Sequence, residues 1–138
     1  MKLSNNRTEA DLLKRALLGN AVFSAICGLL IIVFDTRIVA MMTDLQHHLW
    51  PLGLMLLGFA GSLVWFSTRP TISSAWVTSV IVADLAWVAG TVGLLVGWHG
   101  MLTAAGLWIL AVVGLLVFAF AELQWLGLRR LRSSAQKP

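Results

Sequence analysis

The sequence contains few charged residues, and this scarcity excludes an ordinary soluble domain. Charged residues make up 12% of the 138 positions, about half of the roughly 25% found in soluble proteins. The hydrophobic fraction is 59%, and the mean hydropathy is +0.86. Ten basic and six acidic side chains are too few to solvate the surface of a soluble fold of this size. The composition therefore predicts an integral membrane protein.

Residue patterns that carry chemistry are also scarce. The single cysteine, Cys27, lies in a long apolar run, so an intrachain disulfide is excluded. The sequence has no CxxC pair, no glycine-rich phosphate loop and no pairing of a nucleophile with a base. The apolar runs contain no histidine to hold a haem, and the polar segments form no basic face with interleaved aromatics. We therefore expect no enzyme, no resident cofactor and no nucleic-acid partner, and the lipid bilayer is the expected environment.

Four long apolar runs determine the predicted fold. A helical span needs about 20 predominantly apolar residues, and residues 16–34, 49–67, 75–97 and 101–125 meet that requirement. Of all the charged residues, only Asp84 and Glu122 fall inside these runs. The runs are continuous rather than alternating, which excludes barrel strands. The sequence predicts one all-α domain over residues 1–138, an integral membrane four-helix antiparallel bundle, with residues 133–138 as a flexible tail.

The longest predicted loop, residues 35–48, contains a helical pattern of its own. Its apolar residues Ile38, Met41, Met42 and Leu45 recur at helical spacing. This pattern predicts a short helix in the membrane interface between helices 1 and 2.

The distribution of basic residues predicts the orientation. Arg37 is the single basic residue on one side of the predicted membrane. The other nine all fall on the opposite side, namely Lys2, Arg7, Lys14, Arg15, Arg69, Arg129, Arg130, Arg132 and Lys137. By the positive-inside rule, both termini are expected in the cytoplasm of a bacterial cell, with the spans in its inner membrane.

Asp84 is the most informative residue, because it lies about ten residues, or about 15 Å, into the third span. No Lys or Arg occupies any span, so Asp84 must be neutral, face water or accept hydrogen bonds. Asn20 and Ser24 share one face of the first span, and Glu122 lies in the cytoplasmic half of the fourth. We expect these four side chains to converge. The cluster then either joins helices through an Asn20–Asp84 hydrogen bond, or handles protons, cations or a substrate.

Small residues at four-residue spacing predict close helix packing. The third span carries Ala86, Ala89, Gly90, Gly93 and Gly97, and the second carries Gly58 and Ser62. Such residues let two helix backbones approach. They favour packing inside the bundle, and a homodimer face is the alternative.

Three histidines, His47, His48 and His99, fall on the predicted outer side, with Asp44 near the first two. Imidazoles and a carboxylate could hold a zinc or copper ion. Their spacing matches no metal signature, so ordinary polar loop side chains are the favoured interpretation.

Three segments carry a resemblance: residues 17–24 (LLGNAVFS), 84–88 (DLAWV) and 123–130 (LQWLGLRR). Together they resemble small bacterial four-span membrane proteins without an assigned activity, and the resemblance implies a fold but no residue role. We expect a non-enzymatic structural or accessory membrane component, as a homodimer or with a larger membrane protein partner. The alternatives are a proton- or cation-coupled transporter of a small molecule that uses Asp84, and an outer-face metal or haem-related binding protein.

Overall fold

A computed structural model describes residues 2–44, 48–69 and 71–135, with side chains described from residue 11 to residue 133 within these ranges. The described residues form five α-helices, and a 3₁₀ turn at His99–Met101 precedes the last of them. They contain no β-strand, only an isolated bridge between Thr43 and Leu102. The prediction of an all-α fold is confirmed. The helices are α1 (Lys2–Val33), α2 (Asp35–Met42), α3 (Trp50–Ser67), α4 (Ser74–Gly97) and α5 (Ala104–Ala135).

Four of the helices are long and apolar enough to cross a membrane. The qualifying stretches are Asp11–Val33, Trp50–Ser67, Ser74–Gly97 and Ala104–Ser133. They follow the four predicted spans in order, and the largest differences are at the end of the fourth span and at the start of the first.

The fourth span differs from its predicted bounds because of the turn before it. The 3₁₀ turn occupies residues 99–101, so α5 begins at Ala104, where the Thr103 hydroxyl accepts a hydrogen bond from the Gly106 N–H at 3.0 Å. Such a side-chain acceptor caps the free N–H groups of a first helical turn. At its other end α5 continues to Ala135. Residues 133–135 are therefore helical where the sequence predicts a flexible tail, and residues 136–138 lie outside the described residues.

The predicted short helix is present as α2, and hydrogen bonds tie its end to the start of α5. The Thr103 N–H donates to the Met42 carbonyl at 3.0 Å, and the Thr43 hydroxyl donates to the Met101 carbonyl at 2.8 Å. The Thr103 hydroxyl also donates to the Met41 carbonyl. These bonds hold the segment that connects α1 to α3 against the start of α5, which is distant in sequence. Leu45, part of the predicted pattern, lies outside the described residues.

The packing of the long helices places α1 at the centre of the structure. α1 packs against both α3 and α5, and α5 packs against α4. The main apolar core combines the middle of α1 with residues of all three other long helices. Its buried members are Leu13, Leu17, Ala21, Leu63, Val77, Val80, Ile81 and Leu128.

A close backbone approach joins α1 to α3 at two glycines. A Cβ atom added to either Gly28 or Gly53 would lie 2.8 Å from the carbonyl oxygen of the other. A side chain larger than hydrogen cannot be placed there without moving backbone. Gly28 and Gly53 therefore form the backbone contact on which the α1–α3 packing depends.

The small residues predicted to pack inside the structure are not part of the Gly28–Gly53 contact. Nothing approaches within 4 Å of a Cβ added at Gly58, Gly90, Gly93 or Gly97. Ala86 and Ala89 are exposed, and the half-buried Ser62 donates only to the Phe59 carbonyl of its own helix. The prediction of packing within the chain is therefore wrong for Gly58 and for the five residues of α4, and for Ser62 it stays a prediction. In a span every face is apolar or small, so four-residue spacing does not show which face meets a neighbour.

Candidate functional site

Asp84 lies on the buried face of α4. Its side chain is 4% exposed, and the other buried residues of α4 recur at helical spacing on the same face. The helical repeat of 3.6 residues places Val77, Ile81 and Asp84 above one another. The same stripe that packs the apolar core therefore carries a carboxylate into the protein interior.

Side chains from two other helices donate hydrogen bonds to this carboxylate. Asn20 Nδ2 on α1 donates to Asp84 Oδ2 at 2.7 Å, and Gln124 Nε2 on α5 donates to the same oxygen at 3.2 Å. The Ser24 hydroxyl extends the network by donating to Asn20 Oδ1 at 3.3 Å. We call these four side chains, Asn20, Ser24, Asp84 and Gln124, the Asp84 cluster. One carboxylate oxygen thus connects α1, α4 and α5.

The Asp84 cluster is buried throughout. Asn20 is 1% exposed, Ser24 is 5% exposed and Gln124 is fully buried. None of these side chains carries a positive charge, and the hydrogen bonds from Asn20 and Gln124 to the carboxylate come from neutral amide groups. Buried polar groups with good partners of this kind fix a unique helix arrangement.

The structure brings together three of the four residues predicted to converge. Asn20, Ser24 and Asp84 are in one hydrogen-bond network, whereas Glu122 is exposed on α5 and takes no part in it. The inclusion of Glu122 in the cluster is therefore wrong, and Gln124 occupies its expected place. Two positions apart on a helix correspond to roughly 200° of rotation. Glu122 and Gln124 accordingly lie on opposite sides of α5.

A signal for Gln124 does exist in the sequence of α5. Its buried residues Val117, Ala121, Gln124 and Leu128 follow alternating spacings of four and three. That spacing is typical of a helix packed along one seam. Because the positions next to these four residues on α5 are also apolar, the spacing alone does not identify the packed face. It does so only once one residue of that face is known.

Two buried polar atoms, one in the cluster and one on the next turn of α4, have no hydrogen-bond partner among the described residues. One is Gln124 Oε1, and the other is Nε1 of Trp87, one turn beyond Asp84 on α4. Leaving a buried polar atom unpaired costs about 1–3 kcal/mol. The amide nitrogen of Gln124 is therefore paired, whereas its amide oxygen can still accept a hydrogen bond.

The predicted outer-face histidines do not gather at one place. His48 Nδ1 donates to Asp35 Oδ2 at 2.7 Å, and the Leu49 N–H donates to Asp35 Oδ1 at 2.6 Å. The hydrogen bonds from His48 and from the Leu49 amide lower the pKa of Asp35 below its usual 3.8. This pairing links the start of α2 to the start of α3. The two residues are 13 positions apart in the sequence, so a local sequence pattern does not predict their contact.

His99 is separate from that pair. Its Nδ1 is 3.1 Å from the Val96 carbonyl of the preceding turn, and its side chain is exposed. His47 lies outside the described residues. Among those that are described, no three His, Cys, Asp or Glu side chains are grouped so that they could hold a metal ion.

Comparison with known proteins gives no match to a protein family, to a curated protein or to a solved structure. The role of the Asp84 cluster must therefore follow from its own contacts, burial and charge.

Proposed function

We propose that this chain is a small multi-pass protein of the bacterial inner membrane, with both termini in the cytoplasm and its four long helices antiparallel. It would act as a non-enzymatic structural or accessory component. The four apolar helices support the membrane placement. The orientation is supported by the sequence pattern, in which nine of the ten basic residues fall on one side of the predicted spans.

The observation that carries the structural role is the Asp84 cluster. A carboxylate in a bilayer is unfavourable unless polar groups surround it, and here amides from α1 and α5 both donate to Oδ2. Hydrogen bonds between helices stabilise membrane bundles where water is absent. The cluster therefore acts as a lock among three helices, and a fixed scaffold suits an accessory component.

The accessory role also needs a contact surface, and α4 offers one. Ala86, Ala89 and Gly90 are exposed, as are Gly93 and Gly97 further along the same helix. Because these residues are small, a helix from another protein can approach the α4 backbone closely. We define these five residues as the α4 small-residue face and infer that it packs against a transmembrane helix of a partner.

A crosslinking experiment tests this proposal. A photoreactive group attached to Ala89→Cys, in a Cys27→Ser background, should give one adduct of defined mass in native membranes. Twice the 15.0 kDa mass of the chain would identify a second copy, and a larger specific adduct would identify another membrane protein. The matched control is Leu115→Cys on α5, since Leu115 is 69% exposed and lies outside this face. No specific adduct from Ala89→Cys, or an equal one from Leu115→Cys, would contradict the accessory role.

A second candidate function, proton- or cation-coupled transport through Asp84, is favoured by the unpaired Gln124 Oε1. Rotation of the Gln124 amide by 180° exchanges its nitrogen and oxygen. An ionised Asp84 accepts from Nε2, as in the structure, whereas a protonated Asp84 can donate to Oε1 after the rotation. The same two side chains can thus hold Asp84 in either protonation state.

The transport candidate predicts that Asp84→Asn abolishes proton uptake into proteoliposomes driven by a membrane potential. Asparagine has no titratable proton but keeps an oxygen for the two amide donors, so the fold should survive. An internal pH-sensitive dye measures the uptake. Glu122→Gln is the matched control, because it neutralises an exposed carboxylate and should leave uptake unchanged. Equal uptake by wild type and Asp84→Asn would eliminate this candidate.

A further inference from the structure

We propose that a groove near the end of α5 binds the phosphate headgroup of an anionic phospholipid. The groove has a volume of about 170 Å³, and this inference rests on the membrane placement proposed above. Its lining residues are Trp125, Leu128, Arg129, Arg132 and Ser133.

Helix geometry builds this groove from one face of α5. Trp125, Arg129 and Arg132 are separated by four and three residues, so their side chains lie in one row. The row extends over about 12 Å from Trp125 to Ser133, given the rise of a helix. Leu128 is 3% exposed and Trp125 is 47% exposed. The buried Leu128 therefore gives the groove an apolar wall, and the accessible indole of Trp125 lies at the end of the groove that faces the apolar stretch of α5.

The charge in the groove is positive, and among the described residues no carboxylate pairs with it. Arg132 Nη2 donates to the hydroxyl of Thr78 on α4 at 3.3 Å, a neutral group that leaves the charge uncompensated. Arg129 is exposed, and neither arginine forms an ion pair within the described part of the chain. The only acid on α5, Glu122, lies seven residues before Arg129, about 10 Å along the axis. Guanidinium groups bind phosphate oxygens through paired hydrogen bonds.

The position of the groove favours a lipid as the source of that phosphate. It lies at the end of the apolar stretch Ala104–Ser133, where the proposed topology places the cytoplasmic membrane surface. Tryptophan rings are enriched at headgroup level, and basic pockets on the cytoplasmic side bind anionic headgroups. A phosphodiester held by Arg129 and Arg132 would leave its acyl chains directed along the apolar part of α5.

Lipid selection in nanodiscs tests the inference. The wild-type chain is reconstituted in mixed phosphatidylglycerol and phosphatidylcholine, and the lipids it retains are identified by native mass spectrometry. With about 1 kcal/mol for each arginine near the surface, we expect at least a tenfold preference for phosphatidylglycerol. The double variant Arg129→Gln, Arg132→Gln should lose that preference. The control Lys14→Gln, Arg15→Gln removes the same charge from α1 at the same end of the structure and should keep it.

The outcomes separate the site from its alternatives. An equal loss in the control would show general surface attraction. Binding of inorganic phosphate to the chain in phosphatidylcholine discs, with no preference for phosphatidylglycerol in the mixed discs, would assign the groove to a free anion. Either result overturns the lipid site while the membrane placement stands. If the wild-type chain does not enter nanodiscs of either composition, the membrane placement itself fails.

Discussion

Replacement of Gly53 by alanine should destabilise the protein by about 1–3 kcal/mol, although it adds a single methyl group. The new Cβ would lie 2.8 Å from the Gly28 carbonyl oxygen and 2.7 Å from a side-chain carbon of Ile32. The carbonyl belongs to the backbone of α1 and cannot rotate away as a side chain can. The α1 and α3 helices must therefore separate, which weakens the packing along their whole contact.

Gly58→Ala is the matched control for this prediction, since it places the same methyl group on the same helix. Nothing lies within 4 Å of a Cβ at Gly58, and alanine favours a helix over glycine by up to about 1 kcal/mol. Gly58→Ala should therefore be neutral or slightly stabilising. Reversible unfolding in mixed micelles gives the two free energies of unfolding. Equal values for the two variants would show that the Gly28–Gly53 contact does not hold α1 against α3.

The helices could be predicted from the sequence, whereas their contacting faces could not. The number and order of the apolar helices follow from run length and from the exclusion of charge, and the short helix α2 follows from an amphipathic pattern. Within a span this pattern is lost, because lipid-facing and protein-facing residues are both apolar. Gly53 and Gly58 are thus indistinguishable by composition, yet one contacts the α1 backbone and the other is exposed.

The same reasoning explains the candidate site. The sequence predicts a hydrogen bond between Asn20 and Asp84, since a polar side chain in a span has few possible partners, and the bond is present. Gln124 and Glu122 are equally polar and two residues apart, so the choice between them depends on the rotation of α5. That rotation is fixed by contacts such as Gly127 against Leu13, which are distant in sequence. The Thr103–Met42 bond is likewise beyond any local pattern.

Asp84→Leu should reduce the free energy of unfolding by about 1–3 kcal/mol, whereas Asp84→Asn should reduce it by less than about 1 kcal/mol. Leucine removes the oxygen that accepts from Asn20 Nδ2 and Gln124 Nε2, so two buried amide donors lose their partner. Asparagine keeps one oxygen of similar position. The comparison is made by unfolding in the same micelles, with Glu122→Leu as the control on an exposed carboxylate, which should change the stability little.

A triple variant, Asn20→Leu, Asp84→Leu and Gln124→Leu, distinguishes lost hydrogen bonding from lost packing. Replacing all partners of a buried polar group with apolar side chains is often nearly neutral, and in this variant only the Ser24 hydroxyl loses its partner, Asn20 Oδ1. The triple variant should therefore recover much of the stability that Asp84→Leu loses. Additive losses would instead show that the cluster acts through its shape, and the lock among α1, α4 and α5 would not depend on its hydrogen bonds. If the triple variant regains stability but no longer gives the adduct at Ala89→Cys, the polar lock also sets how α4 meets its partner.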